Sequence, residues 1–175
     1  MTSKAYAAAS IEVTSVGSPV IIGNTTVQNI NVRINKQATW KVYITPLDNG
    51  LINISDPTKV IPLSRLVLTN STGSNVYTLQ YGIPTQIASG TNYGIDNIPY
   101  KFVLTNSGSD YPGTYTSHFQ FQIVAGTETV STTYTLTITV TGTQSITLTP
   151  ATLNINVNTS GLLQPNYQQE TALPL

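Results

Sequence analysis

The sequence predicts an all-β protein: an antiparallel β-sandwich with an extended terminal strand or tail. Three observations carry this. Gly113–Val140 alternates apolar and polar residues with a period of two, interrupted only at Ala125-Gly126-Thr127. A strand turns successive side chains to opposite faces, so the segment reads as a long hairpin with one dry and one wet face. Shorter apolar stretches elsewhere are separated by Gly, Pro, Asn and Asp turn signals, the pattern of a sandwich. No stretch sustains an i, i+3, i+4 apolar pattern, and runs of Thr and Val are poor helix material.

Taken in order, Ser10–Val16 is a first strand with Ile11 and Val13 on one parity, and Gly17-Ser18-Pro19 is expected to break it. Val27–Ile34 is a second, with Ile30, Val32 and Ile34 alternating against Asn29, Asn31 and Arg33. Ala38–Thr45 is a third, with Trp40, Val42 and Ile44 inward, and Asn49-Gly50 is expected to turn the chain after it. A loop is expected through Asp56-Pro57. Ile61–Leu68 follows as a strand, and Val76–Ala88 as an interrupted or edge strand, because Gly82 and Pro84 weaken it. Ser89–Asn97 reads as loop, Tyr100–Leu104 as strand, and Asn106–Gly113 as turn. In the closing hairpin, Tyr115, Ser117, Phe119, Phe121 and Ile123 share the dry face with Val130, Thr132, Tyr134, Leu136, Ile138 and Val140. Burying each large inward side chain contributes about 1.5–3 kcal/mol. Trp40, Phe119, Phe121, Tyr134 and Ile138 are therefore the expected centre of the core.

Only 8% of the 175 residues are charged, seven basic against seven acidic, where an ordinary soluble domain has about 25%. No basic footprint for nucleic acid exists, nor a polybasic patch for a membrane surface. No apolar run approaches the length of a membrane-spanning helix. The absence of cysteine excludes disulfides, thiol nucleophiles and Cys-ligated metals. At the N-terminus, Lys4-Ala5-Tyr6-Ala7-Ala8-Ala9-Ser10 contains the A-x-A pattern of a signal-peptidase site. Residues 1–9 are read as a leader or signal remnant, 10–142 as the sandwich, and 143–175 as a tail. In that tail Leu153, Ile155 and Val157 share one face. It is either the opening of a second module or a strand meant for a neighbour.

The candidate chemistry is sparse. His118 is the only histidine and falls on the wet face with no nucleophile or carboxylate partner evident. Asp48, Asp96 and Asp110 fall in expected loops and could meet at one end, but no calcium-loop motif is present. Lysines on adjacent strands can form intramolecular isopeptide bonds. Lys36, Lys41 and Lys101 are strand-associated, yet no Lys–Asn–acid triad can be assembled from the sequence. Four N-x-S/T sequons start at Asn24, Asn53, Asn70 and Asn158, a weak signal in so Asn- and Thr-rich a chain. No catalytic, cofactor or metal residues are assigned. Tyr93 and Tyr111, in expected loops, are the candidates for stacking on a glycan or other ligand.

The segments Trp40-Lys41-Val42-Tyr43-Ile44, Ile61-Pro62-Leu63-Ser64-Arg65-Leu66 and Tyr111-Pro112-Gly113-Thr114-Tyr115, the last continuing to Phe119-Gln120-Phe121, resemble secreted bacterial Ig-like β-sandwich modules. These are the WxL-type and the spore-coat-U or pilin-like surface proteins. The resemblance covers about residues 10–141. It implies an Ig-like fold, a non-enzymatic cell-surface role, and partners that are other copies of the chain or related surface proteins. In the pilin-like relatives it implies polymerisation by a donated terminal strand. The donated face would then be Leu153, Ile155 and Val157, or alternatively Ile11 and Val13. A carbohydrate- or ligand-binding module of a larger secreted protein is the alternative expectation.

Overall fold

The computed structural model describes residues 8–36 and 39–141. Among these are the strands β1 (Ser10–Ile22), β2 (Thr25–Lys36), β3 (Trp40–Pro46), β4 (Gly50–Asn53), β5 (Val60–Pro62), β6 (Leu66–Asn70), β7 (Val76–Thr78), β8 (Thr85–Gly90), β9 (Gly94–Thr105), β10 (Gly113–Ala125) and β11 (Glu128–Val140), with a 3-10 turn at Leu63–Arg65. They form two antiparallel sheets. The first runs β1-β2-β9-β6-β7. The second is built on β10, with β11 along one edge and β3 then β4 along the other; β8 flanks β3 and β5 flanks β4.

The long hairpin takes the form its alternation predicts. Tyr115, Ser117, Phe119, Phe121 and Ile123 are buried, and Tyr134, Leu136, Ile138 and Val140 join them from β11. Phe119 stands opposite Tyr134, and Tyr115 opposite Ile138. Trp40, Val42 and Ile44 face the same core from β3, and Ile30, Val32 and Ile34 from β2. The Tyr115 hydroxyl donates to the Tyr111 carbonyl at 2.7 Å. A tyrosine near the start of a late strand that bonds back to upstream backbone is a corner device of Ig-like sandwiches.

Several elements differ from expectation, each for a local reason. Gly17-Ser18-Pro19 does not end β1. The strand shifts register between Val16 and Val20 and continues to Ile22. Pro19 has no N–H for the ladder, and Gly17 sits at φ +71°, so the irregularity is absorbed as a bulge. Asn49-Gly50 does not make a hairpin. Leu47-Asp48-Asn49 bulge outward, and the chain resumes along the same edge of β10 as β4. The bulge is pinned where Asp48 Oδ2 accepts the His118 N–H at 2.7 Å and Leu47 N–H donates to the His118 carbonyl at 2.8 Å. Gly50 serves close approach rather than a turn, since a Cβ there would lie 2.6 Å from the Ile61 carbonyl oxygen.

Ile61–Leu68 is two strands in different sheets. The Leu63–Arg65 turn carries the chain from β5 in the second sheet to β6 in the first, and the passage from β7 to β8 carries it back. Part of the expected loop at Ser89–Asn97 is strand as well, because β9 begins at Gly94. On β8 the register shifts beside Ile87, which takes its carbonyl out of the ladder. The hydroxyls of Tyr77 and Tyr100 both donate to that carbonyl, each at 2.9 Å, satisfying it and tying the sheets together.

Two substitutions test the packing. Phe119→Ala should cost about 3–5 kcal/mol in chemical denaturation, the range for emptying a buried aromatic site. Ser117 is fully buried and its Oγ has no hydrogen-bond partner. Ser117→Ala should therefore leave stability unchanged or raise it by about 1 kcal/mol, in contrast to most core truncations.

Candidate functional site

The candidate site is where the two sheets end side by side. Among the described residues, β1 is paired only to β2, and β11 only to β10, so within that set each leaves an edge of free backbone groups. At the start of β1 the edges are held together. The Ala9 N–H donates to Glu128 Oε2 at 2.6 Å, and Ser15 Oγ and Tyr134 OH share a hydrogen bond of 2.9 Å. Beyond the Gly17 bulge this tie is gone. Gln28 Nε2, buried behind the bulge, donates to the Gly17 carbonyl at 3.1 Å and holds it in place.

The far end of β1 then presents an apolar surface. Val16, Val20 and Ile22 are 53%, 52% and 62% exposed. Ile21 stands opposite buried Thr26, so it belongs to the core face, yet it is 51% exposed. It overhangs a mostly apolar cleft of about 290 Å³ whose other walls include Thr26, Asn106, Thr139 and Val140. The site thus combines unpaired strand edges with an apolar floor. Those are the two requirements for adding an extended segment: ladder bonds for affinity and pockets for alternate side chains.

Charged groups hold the walls rather than act in the cleft. Asn106 Nδ2 donates to Thr26 Oγ1 at 3.0 Å, and the Asn106 N–H to the Asn24 carbonyl at 2.7 Å. The β9–β10 loop that carries Asn106 is locked by Arg65. Its Nη1 and Nη2 donate to Asp110 Oδ1 and Oδ2 at 2.6 and 2.5 Å, and its Nε to the Thr105 carbonyl at 2.8 Å. Hydrogen bonding from Arg65, aided by the Ser107 N–H, holds the Asp110 carboxyl below the usual carboxylate range against the opposing effect of burial.

The residues singled out in the sequence do not gather into one site. Ile11 is buried opposite Ile34, and Val13 packs against the core opposite Val32, so both complete the chain's own sandwich. Leu153, Ile155 and Val157 lie outside the described residues, as does most of the leader. Tyr93 precedes the first residue of β9 and Tyr111 follows its last. The strand between them spans roughly 40 Å, so the two exposed rings stand at opposite ends. Asp48, Asp96 and Asp110 do not converge. They pair separately with His118, Lys36 and Arg65, and no group of metal-ligating side chains forms among the described residues. His118 has a partner that the sequence did not reveal, because Asp48 is 70 positions away and reaches it only through the bulge. Of the sequons, Asn24 is exposed in the β1–β2 turn. Asn53 is 1% exposed, with Oδ1 accepting the Ser55 and Asp56 N–H groups, so the folded chain cannot present it to a glycosylating enzyme.

No protein-family model matches the chain, and no curated protein matches it. Among solved structures it is similar to a structure of the AAF fimbriae of enteroaggregative Escherichia coli, with 16% identity, 77% of this chain and 100% of that one covered, and a TM-score of 0.47. It is also similar to CfaE, the adhesive subunit of the CFA/I fimbria of enterotoxigenic Escherichia coli, with 13% identity, 67% of this chain and 42% of that one covered, and a TM-score of 0.45. A family 123 glycoside hydrolase from Clostridium perfringens stands at 14% identity, 70% and 22% coverage, and a TM-score of 0.44. The chain therefore spans less than half of the CfaE chain and less than a quarter of the hydrolase.

The Arg65–Asp110 clamp has a pH signature. A carboxylate with a depressed pKa contributes stability above its unfolded pKa of about 3.9, and loses it as pH falls through the lower folded value. Thermal melts between about pH 5 and pH 2, a window around that value, should show the wild-type Tm falling with acid. Asp110→Asn should start lower and lose less over the same range. Parallel curves would remove the clamp as a source of acid sensitivity.

Proposed function

We propose that the chain is a non-enzymatic structural subunit or module of a bacterial cell-surface fibre, layer or adhesin, and that it joins its neighbours by β-strand addition through a terminal segment. The observation that carries this is the apolar opening bounded by the free edges of β1 and β11, with core-facing Ile21 left half exposed above it. A soluble sandwich protects its edges; two long edges, fastened along one half and guarded on β1 only by the Gly17–Pro19 bulge, beside an apolar cleft suit a partner strand. The chain's own alternating segment supplies the chemistry of such a strand, since Leu153, Ile155 and Val157 share one parity. Each such side chain, once buried, would contribute about 1.5–3 kcal/mol. The tail is the better donor than the first strand, because Ile11 and Val13 are already spent on the chain's own core.

The partners on this reading are other copies of the chain or related surface proteins, and the location is extracellular, at the cell surface. Among the described residues, no helix is long and apolar enough to cross a membrane. The Thr-, Asn- and Gln-rich outer faces and the low charge suit a subunit that works by shape and ladder bonding.

Deletion of residues 143–175 tests the reading by light scattering. The full chain should populate assemblies larger than one chain, and the truncated chain should be monomeric. A peptide of residues 151–158 should raise the Tm of the truncated chain, and the same peptide carrying Ile155→Asp should not. Unchanged assembly after truncation would overturn tail donation.

A further inference from the structure

We propose that Lys36 and Asp96 form an intramolecular amide cross-link between β2 and β9. Lys36 is the only buried charged residue among the described residues, 2% exposed, in a chain with few charges at all. Ladder register brings the pair together. Ile34 stands opposite Asp96 and Lys36 opposite Gly94, so both side chains leave the core face of adjacent strands. Lys36 Nζ is in direct contact with Asp96 Oδ2.

The surroundings hold the Lys36 end of the pair still and dry, its side chain 1% exposed against 43% for Asp96. The Trp40 ring covers Nζ with its centroid at 5.2 Å. Trp40 is in turn fixed by its Nε1–H donating to Asn92 Oδ1 at 3.1 Å. It is also seated on Gly90, where a Cβ would come within 2.7 Å of the ring. A buried ammonium must offset its own desolvation; a neutral amide in the same place has no such cost. Groups held in reacting geometry gain effective molarities of about 10⁵–10⁸ M, which is what drives an otherwise sluggish condensation.

The step balances without any co-reactant. One proton moves from the Lys36 ammonium to the Asp96 carboxylate, giving an amine and an acid. The amine nitrogen adds to Asp96 Cγ, the Cγ–N bond forms and a Cγ–O bond breaks. The departing hydroxyl takes a second proton from nitrogen and leaves as one water. Asp96 is 43% exposed on its outer side, so that water has a path to solvent.

Denaturing mass spectrometry of the full chain, followed by tryptic digestion, decides the matter. The expected intact mass is one water below that of the sequence. The expected digest contains peptide 34–41, uncut at Lys36, joined to peptide 66–101. Asp96→Asn should lose one ammonia instead of one water, while Asp96→Ala and Lys36→Arg should show their full sequence masses. Wild-type chain at full mass with trypsin cutting after Lys36, or a mass deficit without the linked peptides, would overturn the proposal and leave an ion pair.

Discussion

The arrangement depends on the contact between Phe102 and Phe119, one from the middle strand of each sheet. Their ring centroids lie 4.8 Å apart. Tyr134 stacks parallel to Phe102 at 6.0 Å, and Phe121 meets Tyr134 edge-on at 6.4 Å. Such aromatic pairs add about 0.5–1.5 kcal/mol beyond the area they bury. Their larger effect is on register. A one-residue slip in β9 would turn Phe102 to solvent, and one in β10 would turn Phe119 and Phe121. With those two strands fixed, β2 and β6 are placed through β9, and β3, β4 and β11 through β10.

Scarcity of charge leaves every described carboxylate with a partner. Among the described residues, Glu12 faces Arg33, Asp48 holds the His118 backbone, and Asp56 caps its own turn through Thr58. Asp96 meets Lys36, Asp110 meets Arg65, and Glu128 fastens Ala9. The exposed Glu12–Arg33 pair contributes little, as surface pairs do. The bidentate Arg65–Asp110 fork is different, because planar pairing on both oxygens fixes a loop in one geometry. It is that loop whose Asn106 forms a wall of the cleft. A sequence so poor in acids and bases thus uses them where backbone irregularity needs a fastening: at the bulge, at the loop and at the strand ends.

The all-β class and the faces of the long hairpin were legible because period-two alternation survives any choice of neighbours. Trp40, Phe119, Phe121, Tyr134 and Ile138 are buried as their parity requires. Breaks were legible only as irregularities, not by kind. Gly17-Ser18-Pro19 and Asn49-Gly50 carry the same residues whether a strand ends, turns or bulges, and the outcome was set by distant groups, Gln28 in one case and His118 in the other. The split of Ile61–Leu68 between two sheets was likewise invisible, since both sheets want the same β-forming residues. The candidate site was the least legible. Val20-Ile21-Ile22 falls after the break expected at Gly17-Ser18-Pro19, and nothing in its local pattern marks it as the exposed end of β1. The pairing of Lys36 with Asp96 follows from a ladder register that no local pattern encodes.

What separates the β1–β11 side from the rest of the perimeter is how its edges are finished. On the opposite side, the outer strands are short: β5 and β7 have three residues each and β8 six. Short edges interrupted by Gly82 and Pro84 offer an incoming strand little to pair with. The edges of β1 and β11 are thirteen residues long. β11 carries no proline and few charges, whereas β1 is guarded only at its middle, by Pro19 and the Gly17 bulge. Ala9–Glu128 and Ser15–Tyr134 close one half of that seam through side chains, while Ile21, beyond the bulge at Gly17, is half exposed. Among the described residues, the long edges are thus confined to a single seam. On the function proposed above, the bulge would be the element that gives the sandwich a directional joint.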